Sequence, residues 1–273
     1  MDIVSLHTMH VRAMENWGCI TFLGSVFLKD ERNTSKTLIQ RNSRTVAHEF
    51  SHMWFGNHVT MDWWDDIWLN EGFARFSEHH ILNSIRPHFR PWDKYLYQIF
   101  KRAMVADWKF KTTHPVQVEV PDPDRLMDIF DMISYEKGSL VCRMIHNYVG
   151  EETFKSSLKC YLTRYGNSNA KTDDLLAIMD KEFAKIDQTT TSRFLAESEK
   201  LSVSEFIKPW IQQKCLPMVM IENDNEEDPG RFMLFQSCVF MSMEENTSEM
   251  LWPIHVTYST SSGKTGSFVF SGR

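Results

Sequence analysis

The feature that most constrains this chain is the pentapeptide His48-Glu49-Phe50-Ser51-His52, which has the pattern H-E-x-x-H. It falls within a stretch from Ser35 to about Phe55 that has helical periodicity and is followed by Gly56-Asn57, a helix stop signal. Residues four apart lie on one face of a helix, so both imidazoles can bind a single metal ion. Glu49 is offset by one residue and can reach a metal-bound water without ligating the metal. Such a pattern also occurs by chance on solvated helices, so a metal site needs a second element.

A second motif offers the ligand that the first one lacks. Zinc sites with two histidine ligands and a position open for water take a carboxylate as the third protein ligand. Asn70-Glu71-Gly72-Phe73-Ala74 contains such a carboxylate, on a predicted helix from about Asp65 to Asn83, and 18 residues separate Glu71 from His52. The intervening residues are aromatic and apolar, which suits two helices packed against each other. The spacing predicts a zinc centre in which Glu49 accepts a proton from the bound water and passes it to a leaving amine.

The rest of the chain divides by pattern into a mostly helical part and a β-rich part. Residues 2–31 have the β-branched and aromatic composition of strands and turns. Apolar stripes at helical spacing follow, and Ser202 with Glu205 resembles a capping box that opens the last of these helices. Short β-like runs then alternate with turns up to the end of the sequence. We therefore expect an α+β fold in two domains, residues 1–216 and 217–273.

Composition and charge exclude several classes of protein. The chain has 273 residues, of which 42% are hydrophobic and 24% are charged, and this is ordinary for a globular protein. Its net charge of −6 argues against a nucleic-acid partner, and no run approaches the ~20 apolar residues of a membrane span. The five cysteines are scattered and odd in number, which argues against a disulfide framework or a thiolate zinc site.

Two further segments contain residues whose role the sequence alone leaves open. Ala13-Met14-Glu15-Asn16-Trp17-Gly18 lies in the strand-like region. A buried glutamate on a strand is usually an ion-pair partner, here of a residue such as Arg12, but beside a metal it could bind a substrate ammonium. Ser134-Tyr135-Glu136-Lys137-Gly138 follows an apolar helical stretch. Its tyrosine is either a core residue or a phenol that stabilises an oxyanion.

Together these motifs resemble those of the M1 family of zinc aminopeptidases, most closely the puromycin-sensitive branch. The shared features are A-M-E-N-W-G, H-E-x-x-H followed by W-F-G-N, W-W-x-x-x-W-L-N-E-G-F-A and S-Y-x-K-G. The resemblance implies a thermolysin-like, mainly helical catalytic domain, truncated at its N-terminal sheet, followed by the start of a β-sandwich domain. It also implies one zinc ion per chain, bound by His48, His52 and Glu71, with Glu49 as the general base.

The resemblance further implies how a substrate is bound. Its substrates would be peptides with a free N-terminus. Glu15 would hold the α-amino group of the peptide, which makes the enzyme an exopeptidase, and Tyr135 would stabilise the tetrahedral intermediate. Ala13 and Met14 would line the path of the substrate chain. Arg12 replaces a glycine of the family pattern and adds bulk and charge at the lip of the cleft.

Other departures from the family pattern concern larger parts of the chain. Phe22-Leu23-Gly24 stands where the family usually has Tyr-Arg-Glu. The N-terminal β-domain, the first strands of the catalytic domain and the C-terminal helical domain of the family are not in this sequence, so we expect a fragment of a longer enzyme. The alternatives are a catalytically impaired zinc- or peptide-binding pseudo-peptidase and the epoxide-opening relative of the same superfamily. The resemblance favours a cytoplasmic location, although a membrane-anchored ectoenzyme parent stays possible.

Overall fold

The computed structural model describes residues 1–30, 32–109, 112–120, 122–186, 201–223, 232–238 and 250–272. Both helices and strands occur within them, so the predicted α+β fold class is confirmed. The α-helices are α1 (Gly24–Phe27), α2 (Lys36–His52), α3 (Glu71–Ile85), α4 (Pro91–Tyr95), α5 (Lys101–Asp107), α6 (Gly138–Val149), α7 (Glu151–Tyr165), α8 (Thr172–Phe183) and α9 (Val203–Gln212). The strands are β1 (Asp2–Leu6), β2 (Ala13–Met14), β3 (Cys19–Leu23), β4 (Val59–Met61), β5 (Ser168–Ala170), β6 (Pro217–Asn223), β7 (Phe232–Cys238), β8 (Ile254–Ser259) and β9 (Thr265–Phe270). No helix among the described residues is long and apolar enough to cross a membrane.

A three-stranded sheet contains the N-terminal segment, in the order β1-β3-β2. β1 runs parallel to β3, and β2 runs antiparallel to it. Ile20 and Phe22 on β3 are fully buried, and Val46 and Phe50 of α2 pack against them. Alternate residues of β3 thus face α2, because successive side chains of a strand point to opposite faces. This packing places the end of β2 beside the H-E-x-x-H helix.

The end of this segment does not continue as a strand, contrary to the expectation from its composition. α1 begins at Gly24 instead, and the N–H of Leu28 donates to the Gly24 carbonyl oxygen. The Phe27 ring stacks on Phe22 with centroids 5.2 Å apart, and Val26 is buried. Packing against the sheet therefore overrides the β-propensity of Val26 and Phe27.

The two helices that contain the predicted metal ligands, α2 and α3, pack directly against each other. α2 begins after Ser35, whose side chain caps it, and ends at His52, three residues before the predicted end. The loop residue Phe55 stacks on Phe73 of α3 with centroids 4.7 Å apart, and the Trp68 ring lies 5.9 Å from the same Phe73 ring. Buried aromatic rings thus hold the helix pair together, as their density between the two motifs predicts.

The second predicted helix is interrupted, so Glu71 lies at a helix start rather than inside one. A 3₁₀ turn spans Trp64–Leu69, and α3 begins only at Glu71. Within that turn Asp66 has non-helical backbone angles (φ −100°, ψ 26°). Its buried carboxylate accepts hydrogen bonds from the N–H and hydroxyl of Thr172 and from the Gln117 amide. A tertiary contact that the local pattern does not contain therefore breaks the helix.

The helix that apolar spacing predicts from Leu126 to Ile133 is also divided. A 3₁₀ turn covers Pro123–Ile129, a π-helical turn covers Ile133–Lys137, and α6 follows it directly. The Asp131 carboxylate accepts hydrogen bonds from two N–H groups at the start of the π-helical turn. The Asp131 side chain thus binds the first N–H groups of the second segment and separates it from the first.

Two glycines allow α3 and α6 to approach until their backbones touch. A Cβ atom at Gly72 would lie 2.9 Å from the carbonyl carbon of Gly138. A Cβ atom at Gly138 would lie 3.3 Å from the Gly72 Cα and 3.2 Å from the Trp68 Cβ. Gly72 follows Glu71, and Gly138 lies three residues after Tyr135. A backbone contact therefore sets the distance between α3, which carries Glu71, and the segment before α6, which carries Tyr135.

We expect Gly72→Ala to lower the free energy of unfolding by about 1–3 kcal/mol, because the added methyl group meets backbone that cannot yield without separating the helices. Urea denaturation of the purified chain measures this change. Gly24→Ala is the matched control, since a Cβ atom there would lie 3.5 Å from the Leu6 carbonyl oxygen, an ordinary van der Waals contact. Equal stability of the two variants would contradict this account of the helix crossing.

The chain after α9 forms two antiparallel hairpins, β6 with β7 and β8 with β9. Trp252 between them is fully buried, and Trp210 of α9 donates from Nε1 to the Pro253 carbonyl oxygen at 2.8 Å. Gln236 on β7 exchanges hydrogen bonds with the backbone of Trp252. The turn that Pro229-Gly230 predicts lies outside the described residues. The division into two domains at residue 216 stays a prediction.

Candidate metal centre

Three side chains from α2 and α3 converge on one point. His48 and His52 lie one turn apart on α2, and their Nε2 atoms are 3.0 Å apart. Oε2 of Glu71 lies 3.2 Å from His48 Nε2 and 3.5 Å from His52 Nε2. A tetrahedral zinc ion with ligands at about 2.0–2.1 Å has ligand atoms about 3.3 Å apart. The three separations therefore match one face of such a tetrahedron.

The polar atoms nearest to the two Nδ1 atoms leave a lone pair on each of the facing nitrogens. His52 Nδ1 lies 3.1 Å from the Phe55 carbonyl oxygen and also contacts Oδ1 of Asn70. His48 Nδ1 lies 3.5 Å from Oε2 of Glu78. These neighbours are all acceptors, so each Nδ1 carries the ring proton and each Nε2 keeps its lone pair. Two lone pairs and a carboxylate oxygen at these distances repel one another unless a cation lies between them, which fits a metal site.

The charges of the cluster agree with one bound cation. Burial disfavours a charged His48 ring, but hydrogen bonds to Glu71 and Glu78 outweigh burial and raise the His48 pKa to about 10. Burial also disfavours a charged Glu71, yet the two histidines hold its pKa well below its usual range. In the absence of a metal, the cluster therefore takes up a proton in place of the cation.

Glu49 lies beside this cluster and is 5% exposed. Burial is the largest influence on its carboxyl group and raises its pKa to about 7. One carboxylate oxygen of Glu49, one of Glu15 and a ring nitrogen of His52 all lie within 4.8 Å of one another. A carboxyl group with this pKa has both protonation states accessible near neutral pH, which suits a group that first accepts and then releases a proton.

The backbone after β2 brings Glu15 to the same place. Its Oε1 lies 4.0 Å from His52 Nδ1, and its carbonyl oxygen accepts a hydrogen bond from the Asn57 side chain at 2.7 Å. The Arg12 guanidinium is directed towards α2, where it donates to Oδ1 of Asn42 at 3.1 Å. The Glu15 side chain remains 17% exposed, so an incoming ligand can reach its carboxylate.

β2 is an edge strand of the N-terminal sheet and ends next to the cluster. Ala13 pairs with Phe22 and packs against the small apolar core under α2, whereas Met14 pairs with Thr21 and is 44% exposed. The two residues predicted to line the substrate path thus have different surroundings. The exposed Met14 side chain is the one that a bound chain could contact directly.

Tyr135 reaches the cluster from the π-helical turn before α6. Its ring stacks on the His48 ring with centroids 6.1 Å apart. Burial and the nearby Glu71 carboxylate raise the Tyr135 pKa above its usual range, so the phenol keeps its proton. A protonated hydroxyl at this position can donate to an oxygen that gains negative charge.

A buried charge network behind the cluster is absent from the sequence-based prediction. Glu78 is fully buried, and Arg75 donates to it at 3.1 Å and to Glu136 at 2.7 Å. Glu136 directly follows Tyr135 in the π-helical turn, so the network joins α3 to this turn. One available signal is that Glu78 lies seven residues after Glu71, which places both on the same face of α3.

The sequence-based prediction also gives no role to Asn70, although this residue belongs to the second motif. Its side chain contacts His52 Nδ1 and so orients the ring. The loop after α2 passes close to it at Gly56, whose φ of 126° is rare for other residues and whose added Cβ atom would overlap the Asn70 amide. The glycine after Phe55 is therefore needed for this ring contact.

Comparisons with known proteins give the family. The model of the peptidase family M1 domain matches residues 1–210. Aminopeptidase 2, mitochondrial, of Saccharomyces cerevisiae is 32% identical over 100% of this chain, and alanine/arginine aminopeptidase of the same organism is 33% identical over 99%. Puromycin-sensitive aminopeptidase of Caenorhabditis elegans is 32% identical over 96% of it. The chain spans 27%, 29% and 26% of the lengths of these three proteins.

These matches bear on two of the predictions. The puromycin-sensitive branch, which the motifs resemble, is represented among the relatives. One relative is named as mitochondrial, so a cytoplasmic location for this chain stays a prediction. The match to the family domain covers more than half of the sequence and includes all the motifs on α2 and α3. The chain belongs to peptidase family M1.

Proposed function

We propose that this chain is the catalytic part of a zinc-dependent aminopeptidase, which removes the N-terminal residue from peptides. The observation that carries the proposal is the convergence of His48, His52 and Glu71 into one face of a tetrahedron, with Glu49 and Glu15 beside it. In this proposal residues 1–216 are a thermolysin-like catalytic domain and residues 217–273 are the start of a β-sandwich domain.

Each residue in and around the cluster has its own role in the proposed hydrolysis. Zinc, when bound by the two histidines and Glu71, would lower the pKa of a water molecule and polarise the substrate carbonyl group. Glu49 accepts the proton of the attacking water and then gives it to the leaving nitrogen. The pKa of about 7 that burial gives Glu49 suits both transfers. Tyr135 donates its hydroxyl proton in a hydrogen bond to the oxygen that gains charge.

Glu15 would restrict this chemistry to the first peptide bond. An ammonium group paired with its carboxylate sits close to His52, because Oε1 of Glu15 lies 4.0 Å from that ring. Only the first residue of a peptide has this ammonium next to its carbonyl group. The charge-assisted contact therefore orients the first carbonyl group and excludes internal peptide bonds.

We expect Glu15→Ala to lower kcat/KM on a peptide with a free N-terminus by about 100-fold, the cost of removing one partner of a close charge pair. The N-acetylated form of the same peptide, which lacks the ammonium, should lose much less. The measurement is kcat/KM on both peptides for the wild type and the variant. The carbonyl group of Glu15 still accepts from Asn57 in the variant, so the strand keeps its anchor.

Glu152→Ala provides the matched control, because the Glu152 side chain is 92% exposed on α7, outside the cluster. It should leave both rates unchanged. An unchanged ratio of the two rates in Glu15→Ala would mean that Glu15 does not recognise the N-terminus. A wild-type chain that binds zinc and hydrolyses neither peptide would instead support the impaired, zinc-binding alternative.

A further inference from the structure

A histidine outside the metal cluster, His114, lies against the segment that leads into α6. Its Nε2 is 3.1 Å from Oδ2 of Asp131, and its Nδ1 is 2.6 Å from the Pro115 carbonyl oxygen. Both of these oxygens are acceptors, so each ring nitrogen carries a proton and donates it. His114 is therefore an imidazolium ion that is paired with a carboxylate. The sequence-based prediction gives this residue no role.

Asp131 connects this ion pair to the π-helical turn that carries Tyr135. Its other carboxylate oxygen, Oδ1, accepts from the N–H groups of Ile133 at 2.8 Å and Ser134 at 3.1 Å. Its carbonyl oxygen accepts from the N–H of Tyr135 at 3.1 Å. Asp131 therefore binds three consecutive N–H groups, and the last of them belongs to Tyr135 itself. The place of this one residue thus fixes the start of the turn and the backbone of the tyrosine.

The chain on both sides of His114 is itself fixed to the helices. Before it, the Thr113 hydroxyl donates to Oδ1 of Asp107 at the end of α5. After it, the N–H of Gln117 donates to the carbonyl oxygen of Ile211 on α9 at 2.9 Å. The His114 ring is therefore held by the helical part of the chain, and its ion pair ties the tyrosine turn to that support.

The charges around His114 favour its protonated form. Burial opposes a charged ring, but the hydrogen bonds to Asp131 and to the Pro115 carbonyl oxygen outweigh burial and raise the His114 pKa above its ordinary value. Lys137 opposes protonation of the ring, although Asp107, which pairs with Lys137 at 2.9 Å, offsets this charge. Burial disfavours an ionised Asp131, yet the hydrogen bond from His114 lowers the Asp131 pKa. The two partners thus stabilise each other's charged forms.

We propose that His114, as an imidazolium ion paired with Asp131, is a positioning residue for Tyr135 and holds the turn so that the phenol meets the oxygen that gains charge. This inference rests on the proposed function, in which Tyr135 stabilises that oxygen. His114 does not touch the substrate, and its proton stays on the ring throughout turnover. Because Glu15 and not Tyr135 binds the free N-terminus, loss of the ion pair should lower kcat and leave KM nearly unchanged.

A double-mutant cycle on kcat, measured with a free-amine peptide, tests whether His114 acts through Tyr135. We expect His114→Gln to lower kcat about 10-fold, since a small misplacement of a catalytic group costs up to ~10²-fold. Tyr135→Phe should lower kcat by about 10²- to 10³-fold, the usual cost of removing one donor to the oxyanion. In the Tyr135→Phe background, His114→Gln should cause no further loss. A general weakening of the fold would instead lower kcat by the same factor in both backgrounds.

The pH dependence of stability gives a second readout, which needs no turnover. A histidine whose pKa is raised on folding stabilises the protein fully below its ordinary pKa of about 6.5, and this contribution is lost as the pH rises through the raised value. The urea midpoint of the wild type should therefore exceed that of His114→Gln by more at about pH 6 than at about pH 9. Asp131→Asn keeps an oxygen for the two N–H groups but loses the charge, so it should behave like His114→Gln.

His88→Gln is the matched control, because His88 is exposed in the 3₁₀ turn Pro87–Phe89, and it should change neither kcat nor the pH dependence of the urea midpoint. Equal losses from His114→Gln in the two backgrounds would overturn the proposal, and so would a difference in urea midpoint that does not vary with pH. A loss of kcat in Tyr135→Phe with none in His114→Gln would overturn this inference alone. Wild-type kcat in Tyr135→Phe, or no turnover by the wild type, would overturn the proposed function and this inference with it.

Discussion

Replacing Glu49 with glutamine is expected to lower kcat/KM on free-amine peptides by about 10²- to 10⁴-fold, which is the usual contribution of a general base. The amide has almost the size of the carboxylate, so the buried position, 5% exposed, stays filled. It cannot accept the proton of the attacking water. The measurement is steady-state hydrolysis of a free-amine peptide by the wild type and the variant at equal zinc occupancy.

The control for this prediction is the metal content of the same samples. Glu49 is not one of the three residues whose atoms form the tetrahedral face, so Glu49→Gln should bind as much zinc as the wild type. Activity close to that of the wild type would show that another group accepts the proton. A loss of both zinc and activity would assign Glu49 to metal binding instead.

Zinc binding should follow a graded order when the cluster is changed one residue at a time. Glu78 contacts His48 Nδ1 at 3.5 Å and does not reach the centre, so Glu78→Gln should weaken zinc binding by roughly 10- to 100-fold. Glu71→Ala removes one of the three converging atoms and should weaken binding further than Glu78→Gln does. Titration against a competing chelator, combined with metal analysis of the purified proteins, measures the affinities.

The exposed Glu152 again serves as the matched control, and Glu152→Gln should bind zinc as the wild type does. The prediction is the order of the zinc affinities, in which Glu71→Ala binds more weakly than Glu78→Gln. If Glu71→Ala retained wild-type affinity, Glu71 would not be a ligand. If Glu78→Gln and Glu71→Ala weakened binding equally, the distinction between a ligand and a residue that orients a ligand would fail.

Local sequence patterns were sufficient for the helix that carries both histidines and for several helix starts. The capping box of Ser202 and Glu205 is confirmed, since each side chain bonds the backbone N–H of the other residue. The H-E-x-x-H spacing predicted two imidazoles on one face, and the structure places their Nε2 atoms 3.0 Å apart. Contacts between residues three or four positions apart can thus be predicted from the sequence alone.

Features that depend on distant contacts could not be read in the same way. Asp66 breaks the second predicted helix because it binds Thr172, a residue 106 positions away. The Arg75 bridge between Glu78 and Glu136 likewise joins segments that no local pattern relates. Each contact requires knowledge of which elements pack together, and periodicity does not contain that information.

The pairing of α2 with α3 has a consequence for the order in which the chain can assemble. Bringing two residues together costs loop-closure entropy that grows with the logarithm of the intervening length. His48 and Glu71 are 23 residues apart, whereas Arg75 and Glu136, whose bridge positions the tyrosine turn, are 61 apart. The cluster of His48, His52 and Glu71 therefore closes within one short helical hairpin, and Tyr135 joins it only through a longer loop. We expect the three-residue cluster to form early in a nascent chain and the complete arrangement with Tyr135 to form later.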